Sequence, residues 1–195
     1  MQYSAIKQGE RVAFLNDMTI GLIQPSDLVD IITMLDDEAV TEYLFFAPAP
    51  IEVYEGYFNP IIEDTKEALD AERWPSNPTF VVRDNQNKFL GMAGIAGVAL
   101  LAGNFEVGYQ LPQASWGKGL GTALCQFATQ LVFEHLNGHK VAADCYASNV
   151  GSYRVMEKVG YVKEGTQVGY YLRNDKLEDR VIYGMTLAQF RALNA

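Results

Sequence analysis

The stretch that most constrains this chain is Trp116 to Thr122 (WGKGLGT), where Gly117, Gly119 and Gly121 alternate just ahead of an apolar-periodic segment running to about Phe133. Glycine lets a backbone turn tightly and approach a ligand without a Cβ in the way, and the first amides of a helix have no intrahelical acceptor. The loop therefore reads either as a cradle for an anion, a diphosphate being the best fit, or as a Gly-rich turn that merely starts a helix. Its neighbours must decide.

The residues around the loop point to a mixed sheet. Thr19 to Ile23 is β-branched and ends at Gln24-Pro25, after which Ser26 or Asp27 can cap a helix through Leu28, Ile31, Ile32 and Leu35. A second short helical stretch leads into Leu44, Phe45 and Phe46 and the breakers Pro48 and Pro50. An amphipathic piece then runs from Glu52 to about Arg73, with Pro60 expected to interrupt it. The aromatics Phe45, Phe46, Tyr54, Tyr57 and Phe58 of this helical cap read as core or as the lining of a pocket.

From Thr79 the period shortens. Thr79 to Arg83, Phe89 to about Ala99 and Phe105 to Leu111 form an antiparallel meander joined at Asp84-Asn85 and Gly103-Asn104. After the glycine loop, Leu120, Ala123, Leu124, Phe127, Ala128, Leu131 and Val132 fall on one helical face that stops at Asn137-Gly138. Lys140 to Tyr146 is the next strand, and the intervening helix makes it parallel to Phe105 to Leu111. Ser148 or Asn149 can cap a short helix carrying Val155, Met156 and Val159 and closed by Gly160, and Tyr161 resumes the sheet. Thr166 to Leu172 and Arg180 to Thr186 flank the polar turn Arg173-Asn174-Asp175-Lys176 as a closing hairpin.

Composition narrows the function classes. No linker or charge run divides the 195 residues, so residues 1–195 read as a single domain. Fifteen Lys and Arg against 24 Asp and Glu give a charge of −9, which argues against a nucleic-acid surface and is compatible with a cationic acceptor. Cys125 and Cys145 sit in apolar-periodic segments, as buried thiols in a reducing compartment would. His135 and His139 read as polar helix-end residues, so no metal is expected. The N-terminal residues lack signal-peptide order, and Phe89 to Gly103 falls short of the ~20 residues that cross a bilayer. No membrane partner and a cytoplasmic location are expected.

Two nucleotide-binding motifs fit the loop poorly. A P-loop places Lys and then Ser or Thr after its last glycine, whereas Lys118 lies between glycines. A dinucleotide fold opens its first βαβ unit with G-x-G-x-x-G, whereas G-x-G-x-G follows a meander here; Asp144 lies inside a strand, not at the end where a ribose-binding acid belongs.

The meander, the loop, and the run Asn149-Val150-Gly151-Ser152 to Glu157-Lys158-Val159-Gly160-Tyr161 together resemble the GNAT acetyltransferase superfamily over nearly the whole chain. Gly119 and Gly121 match the family loop, with Trp116 in its Arg/Gln place. The aromatic-Gly-Lys-Gly run after Glu106-Val107-Gly108-Tyr109 is similar to the branch of ribosomal-protein N-terminal acetyltransferases. The resemblance implies an α/β (α+β) fold: a mixed, mostly antiparallel sheet flanked by helices, with a V-shaped splay between two parallel strands.

It also implies acetyl-CoA as acetyl donor and a primary amine as acceptor, either a small molecule or a protein N-terminus, in a monomer or homodimer. The donor's diphosphate would rest on the loop, with Trp116, Gly117, Lys118, Gly119, Leu120, Gly121 and Thr122 as binding residues. Its pantetheine would pair with main chain near Gln110 and Leu111 and meet Asn149, itself equally a helix cap. An attacking amine must lose a proton, and Glu106 is the candidate base, through water, or else a solvated strand residue. Many family members protonate the departing thiolate with a tyrosine where this chain has Met156. Ser152 is the replacement, also counted among the donor's contacts, and Tyr153 comes next, followed by Tyr183. A CoA-binding sensor without chemistry and, less favoured, a nicotinamide enzyme are the alternatives.

Overall fold

A computed structural model describes residues 2–173 and 175–195. The elements run α1 (Tyr3–Lys7), β1 (Val12–Ala13), β2 (Thr19–Leu22), α2 (Leu28–Leu35), α3 (Glu38–Thr41), α4 (Ile51–Asp70), β3 (Thr79–Arg83), β4 (Phe89–Gly97) and β5 (Asn104–Gln110). They continue with α5 (Leu120–His135), β6 (Lys140–Tyr146), α6 (Val150–Val159), β7 (Val162–Arg173), β8 (Lys176–Thr186) and α7 (Leu187–Leu193). The expected turn residue Asn174 lies outside the described residues.

All eight strands join one sheet in the order β1-β2-β3-β4-β5-β6-β8-β7. Its neighbours are antiparallel except β5 and β6, which run parallel as a helical crossover demands. Each face carries its own core. Phe80, Val82, Ala93, Ile95 and Val107 pack under α5, which contributes Leu124, Phe127 and Leu131. Val81 and Met92 face the opposite way, onto Ile31, Leu35, Tyr54 and Phe58 of the helical cap. Being covered on both faces, β3 is buried along its whole length, and its sequence TFVVR shows no polar alternation.

Three local expectations are revised. Pro60 lies inside one continuous 20-residue helix, α4, instead of interrupting it. Its ring and the Gly56 carbonyl it leaves unbonded both lie on the exposed side, where water can serve the carbonyl. The closing hairpin is longer than read, Val162–Arg173 with Lys176–Thr186, because a bulge between Gln167 and Tyr171 lets β7 continue through Gly169, which has φ +60°. Asp27 precedes α2 without capping it. Its carboxylate accepts from Gln24 N at 2.8 Å and from Arg83, through Nη2 at 2.6 Å and Nε at 3.0 Å.

Arg83 also reaches Asp30 at 2.7 Å, and with Asp27 only 2% exposed this pair joins the end of β3 to the cap. Removing one partner of a buried pair leaves the other charge desolvated. Arg83→Met is expected to destabilise the fold by about 3 kcal/mol, read as a lower urea midpoint with unchanged slope, and adding Asp27→Leu should restore most of the loss. A midpoint unmoved by Arg83→Met would show that the pair does not anchor the cap.

Candidate active site

The parallel register of β5 and β6 holds for only three residue pairs, from Asn104 with Lys140 to Glu106 with Ala142. Beyond that point β5 follows β4 to Gln110, while β6 follows β8 to Tyr146. The edges of Val107–Gln110 and Ala143–Tyr146 that would have paired therefore face a V-shaped gap. A free strand edge offers unpaired main-chain donors and acceptors to an extended, amide-bearing ligand.

Close approach at the end of β5 depends on a glycine in β4. A Cβ on Gly91, whose φ is +151°, would lie 2.2 Å from Leu111 Cδ2 and 2.9 Å from the Gln110 carbonyl oxygen. The chain then passes through a single 3-10 turn, Gln113–Ser115, into the glycine loop. Gly117 and Gly119 adopt left-handed conformations, φ +71° and +81°, and a Cβ on either would meet open space. Gly119 is the N-cap of α5 and no side chain caps that helix end, so the first amides of α5, on Leu120, Gly121 and Thr122, stay open to an anion. Lys118 is exposed at the loop's tip and makes no ion pair among the described residues. Leu120 is 1% exposed, so its side chain anchors the helix and only its amide is available. Trp116 donates its indole N–H to the Leu111 carbonyl at 2.9 Å, which locks the loop to the end of β5. The loop thus suits the diphosphate of a CoA donor.

At the mouth of the V lies a cavity of about 460 Å³ that brings together Glu106, Gln110, Asn149 and Ser152. Glu106 stands opposite Ala96, on the face that β4 turns toward the cap at Met92; its carboxylate is exposed and forms no ion pair among the described residues. Asn149 caps α6, its Oδ1 accepting from Ser152 N at 3.0 Å, and no described protein group accepts from its Nδ2. Helix capping and ligand binding are thereby compatible.

Ser152 has a neighbour that sequence reasoning passed over. Tyr109 donates its hydroxyl to the Ser152 carbonyl at 3.0 Å and lies 3.3 Å from Ser152 Oγ. Burial pushes this phenol well above its ordinary range, so it stays protonated. Its place two residues before Leu111, on the core-facing parity of β5, was the available signal. Cys145 also lines the cavity, and burial raises its thiol to about 11.

Other expected residues lie elsewhere. Tyr153 is not among the cavity's lining; it stacks on Tyr183 at 6.3 Å, with Arg154 over its ring at 5.6 Å. Tyr183 donates to Glu157 at 3.1 Å. Met156 is fully buried in the core. Asp144 does line the cavity, but it binds Arg180 at 2.6 Å and accepts from the Tyr171 hydroxyl at 2.9 Å. Of the five cap aromatics, Tyr54 and Phe58 are core residues at 3% and 4% exposure, and all five line the cavity. Among the described residues, no cluster of three or more His, Cys, Asp or Glu is placed to hold a metal, and no helix is long and apolar enough to cross a membrane.

Residues 17–162 match the family described as "Acetyltransferase (GNAT) domain". The chain belongs to the GNAT acetyltransferase family. Among relatives, YdaF of Bacillus subtilis (strain 168), provisionally named a ribosomal N-acetyltransferase, is 26% identical over 172 residues, covering 86% of this chain and 90% of YdaF. A crystal structure of spermidine N-acetyltransferase from Vibrio cholerae, in complex with CoA and spermine, superposes with a TM-score of 0.76 at 21% identity, covering 90% and 98% of the two chains. The ribosomal-protein-S5-alanine acetyltransferase of Vibrio fischeri gives 0.75 at 22% identity, covering 91% and 96%.

This GNAT protein is an acyltransferase that uses acetyl-CoA as donor and transfers the acetyl group to an amine, which sets aside the nicotinamide alternative. Its loop supplies a direct test. Gly119→Asp puts a carboxylate where the diphosphate is expected, while Gly119→Asn imposes the same backbone in a neutral side chain, and both tolerate the left-handed region. CoA should raise the melting temperature of the wild type and, to a lesser degree, of Gly119→Asn, but not of Gly119→Asp. Equal stabilisation of both variants would leave the loop a turn without a role in anion binding.

Proposed function

We propose that this single-domain protein, residues 1–195, acetylates a primary amine by direct attack in a ternary complex, with Glu106 assisting deprotonation and Ser152 assisting departure of the thiol. The observation that carries the reading is the convergence of Glu106, Asn149, Ser152 and Tyr109 on one cavity at the mouth of the V. The spermidine enzyme of Vibrio cholerae and the ribosomal-protein alanine enzyme of Vibrio fischeri both support an amine acceptor. Two buried free cysteines agree with a cytoplasmic setting, as monomer or homodimer.

Acetyl-CoA supplies an acyl group on sulfur. Binding it falls to the amides of Gly117 to Thr122 for the diphosphate and to Gln110, Leu111 and Asn149 for the pantetheine arm. An ammonium group has no lone pair, and an α-amine with pKa near ~8 or a side-chain amine near ~10 is mostly protonated at neutral pH. Glu106, exposed and uncompensated on the acceptor side, takes that proton through water. The amine nitrogen then bonds to the acetyl carbon as the C–S bond breaks, and the proton that the nitrogen sheds in becoming an amide is relayed to the leaving sulfur through the Ser152 hydroxyl, which donates its own proton as it takes up the nitrogen's and ends unchanged. Tyr109 is a positioning residue for Ser152, holding the first turn of α6 against β5. The protonated Cys145 thiol is a poor nucleophile at neutral pH, which favours direct attack over an acetyl-cysteine enzyme.

Glu106→Gln is expected to lower kcat/KM by about 10²-fold near neutral pH, with part of the loss recovered as rising pH deprotonates the amine unaided. A pH profile parallel to wild type would leave Glu106 a structural residue. Ser152→Ala should lower kcat by about 10²-fold with no recovery at high pH and little change in CoA affinity, since the amide cradle is untouched. Full activity of Ser152→Ala in a thiol-release assay would move the proton donor to Tyr109 or solvent.

A further inference from the structure

The walls of the same cavity distinguish between kinds of amine. Nine aromatic side chains line it, six of them from the cap once Tyr43 is included, and its only acidic lining residues among those described are Glu106 and Asp144. Asp144 is already neutralised, one oxygen on Arg180 and the other on the Tyr171 hydroxyl. Arg173 adds a second cation beside the cavity, its guanidinium 5.2 Å from the centroid of the lining residue Tyr146. The cavity therefore offers one free carboxylate, on β5, and a hairpin wall that is aromatic and positively backed.

A polyamine sets several ammonium groups along one chain and needs a separate anion or water for each. Here one ammonium can reach Glu106, while the next would face Arg173 and Arg180 or lie desolvated against rings. Aromatic faces attract cations, but Phe45 is covered by Tyr171 in a stacked pair at 5.5 Å, and Arg173 already occupies the face of Tyr146. An apolar body gains from the same wall by leaving water. The Phe45–Tyr171 stack and the bond from Arg173 to the Glu42 carbonyl also tie the cap to the hairpin on one side of the cavity, which favours a small molecule over a folded protein's terminus.

We infer, on the basis of the acetyltransferase reading above, that the acceptor is a small primary amine with one cationic centre and an apolar, ring-bearing body. The negative net charge attracts any cation at long range, so the comparison belongs at ~0.15 M salt, where that field is screened.

The test is thiol release from acetyl-CoA with 2-phenylethylamine, hexylamine, spermidine and a short peptide with a free α-amine. The ring-bearing amine is expected to exceed spermidine by about tenfold or more in kcat/KM, the scale on which an apolar pocket discriminates. Arg173→Gln, which removes a cation from the wall, should raise the spermidine to 2-phenylethylamine ratio about threefold or more. Turnover that favours spermidine or the peptide overturns this acceptor class and leaves the acetyltransferase reading standing. No thiol release with any amine, from a protein that CoA still stabilises, overturns the proposed transfer itself and the acceptor class with it.

Discussion

The site exists because two parallel strands stop pairing. Parallel neighbours in a twisted sheet stay together only while both lack a stronger claim on their direction. Here β5 is claimed by β4 as far as Gln110, and β6 by β8 as far as Tyr146. They share three residue pairs and then diverge. Tyr109 occupies the divergence: its ring extends from β5 toward α6 and its hydroxyl ends on the Ser152 carbonyl. A buried phenol whose proton has an acceptor is stable there. Everything chemical about the molecule depends on this opening, since it gives the two faces of the sheet a common point.

Those faces are chemically unlike. On the α5 and α6 side lie main-chain groups without partners: the first amides of α5, the free edge of β5 and the carboxamide nitrogen of Asn149. On the cap side lie rings and one uncompensated carboxylate. Strand parity sorts the two. Val107 and Tyr109 face the α5 core, and Glu106, Gly108 and Gln110 face the cap, so neighbours in sequence serve different sides. A shift of one residue in β5 would exchange the sides, and the register with β4 together with the Gly91 contact at Leu111 prevents it.

Much of this was legible in the residues. The change of period at Thr79, the single helical face of α5 and the parallel crossover followed from local pattern and chain geometry, whereas the grouping of Glu106, Asn149 and Ser152 came only through the resemblance to the family. Pro60 misled because a helix tolerates proline where the lost hydrogen bond faces water, and exposure cannot be read from one residue. The helix α7 was missed although Thr186 and Gln189 form a reciprocal capping pair, with Thr186 N donating to Gln189 Oε1 at 2.8 Å and Gln189 N to Thr186 Oγ1 at 3.3 Å. Trp116 has a structural part that its place in the motif did not show, since its indole N–H ties the loop to the end of β5. Tyr171 lines the cavity and Arg173 lies over the ring of Tyr146 beside it, beyond the bulge in β7, and such distant placement leaves no mark in local pattern.

The ion pair of Asp144 with Arg180 is best understood by what it holds in place. Arg180 is kept firmly charged by its bond to Asp144, and both side chains are about one-fifth exposed, at 22% and 20%. Pairs this far from water return much of their attraction as lost hydration, so the net gain in stability is small. The pair's effect is positional. Arg180 and Tyr171 belong to the hairpin and Asp144 to β6, at the point where β6 has lost β5 as a neighbour. Binding both carboxylate oxygens fixes the open end of β6 against β8 and β7 and, in the same contact, removes an acid from the acceptor side. One contact thus stiffens the mouth of the V and leaves Glu106 as its single free negative charge.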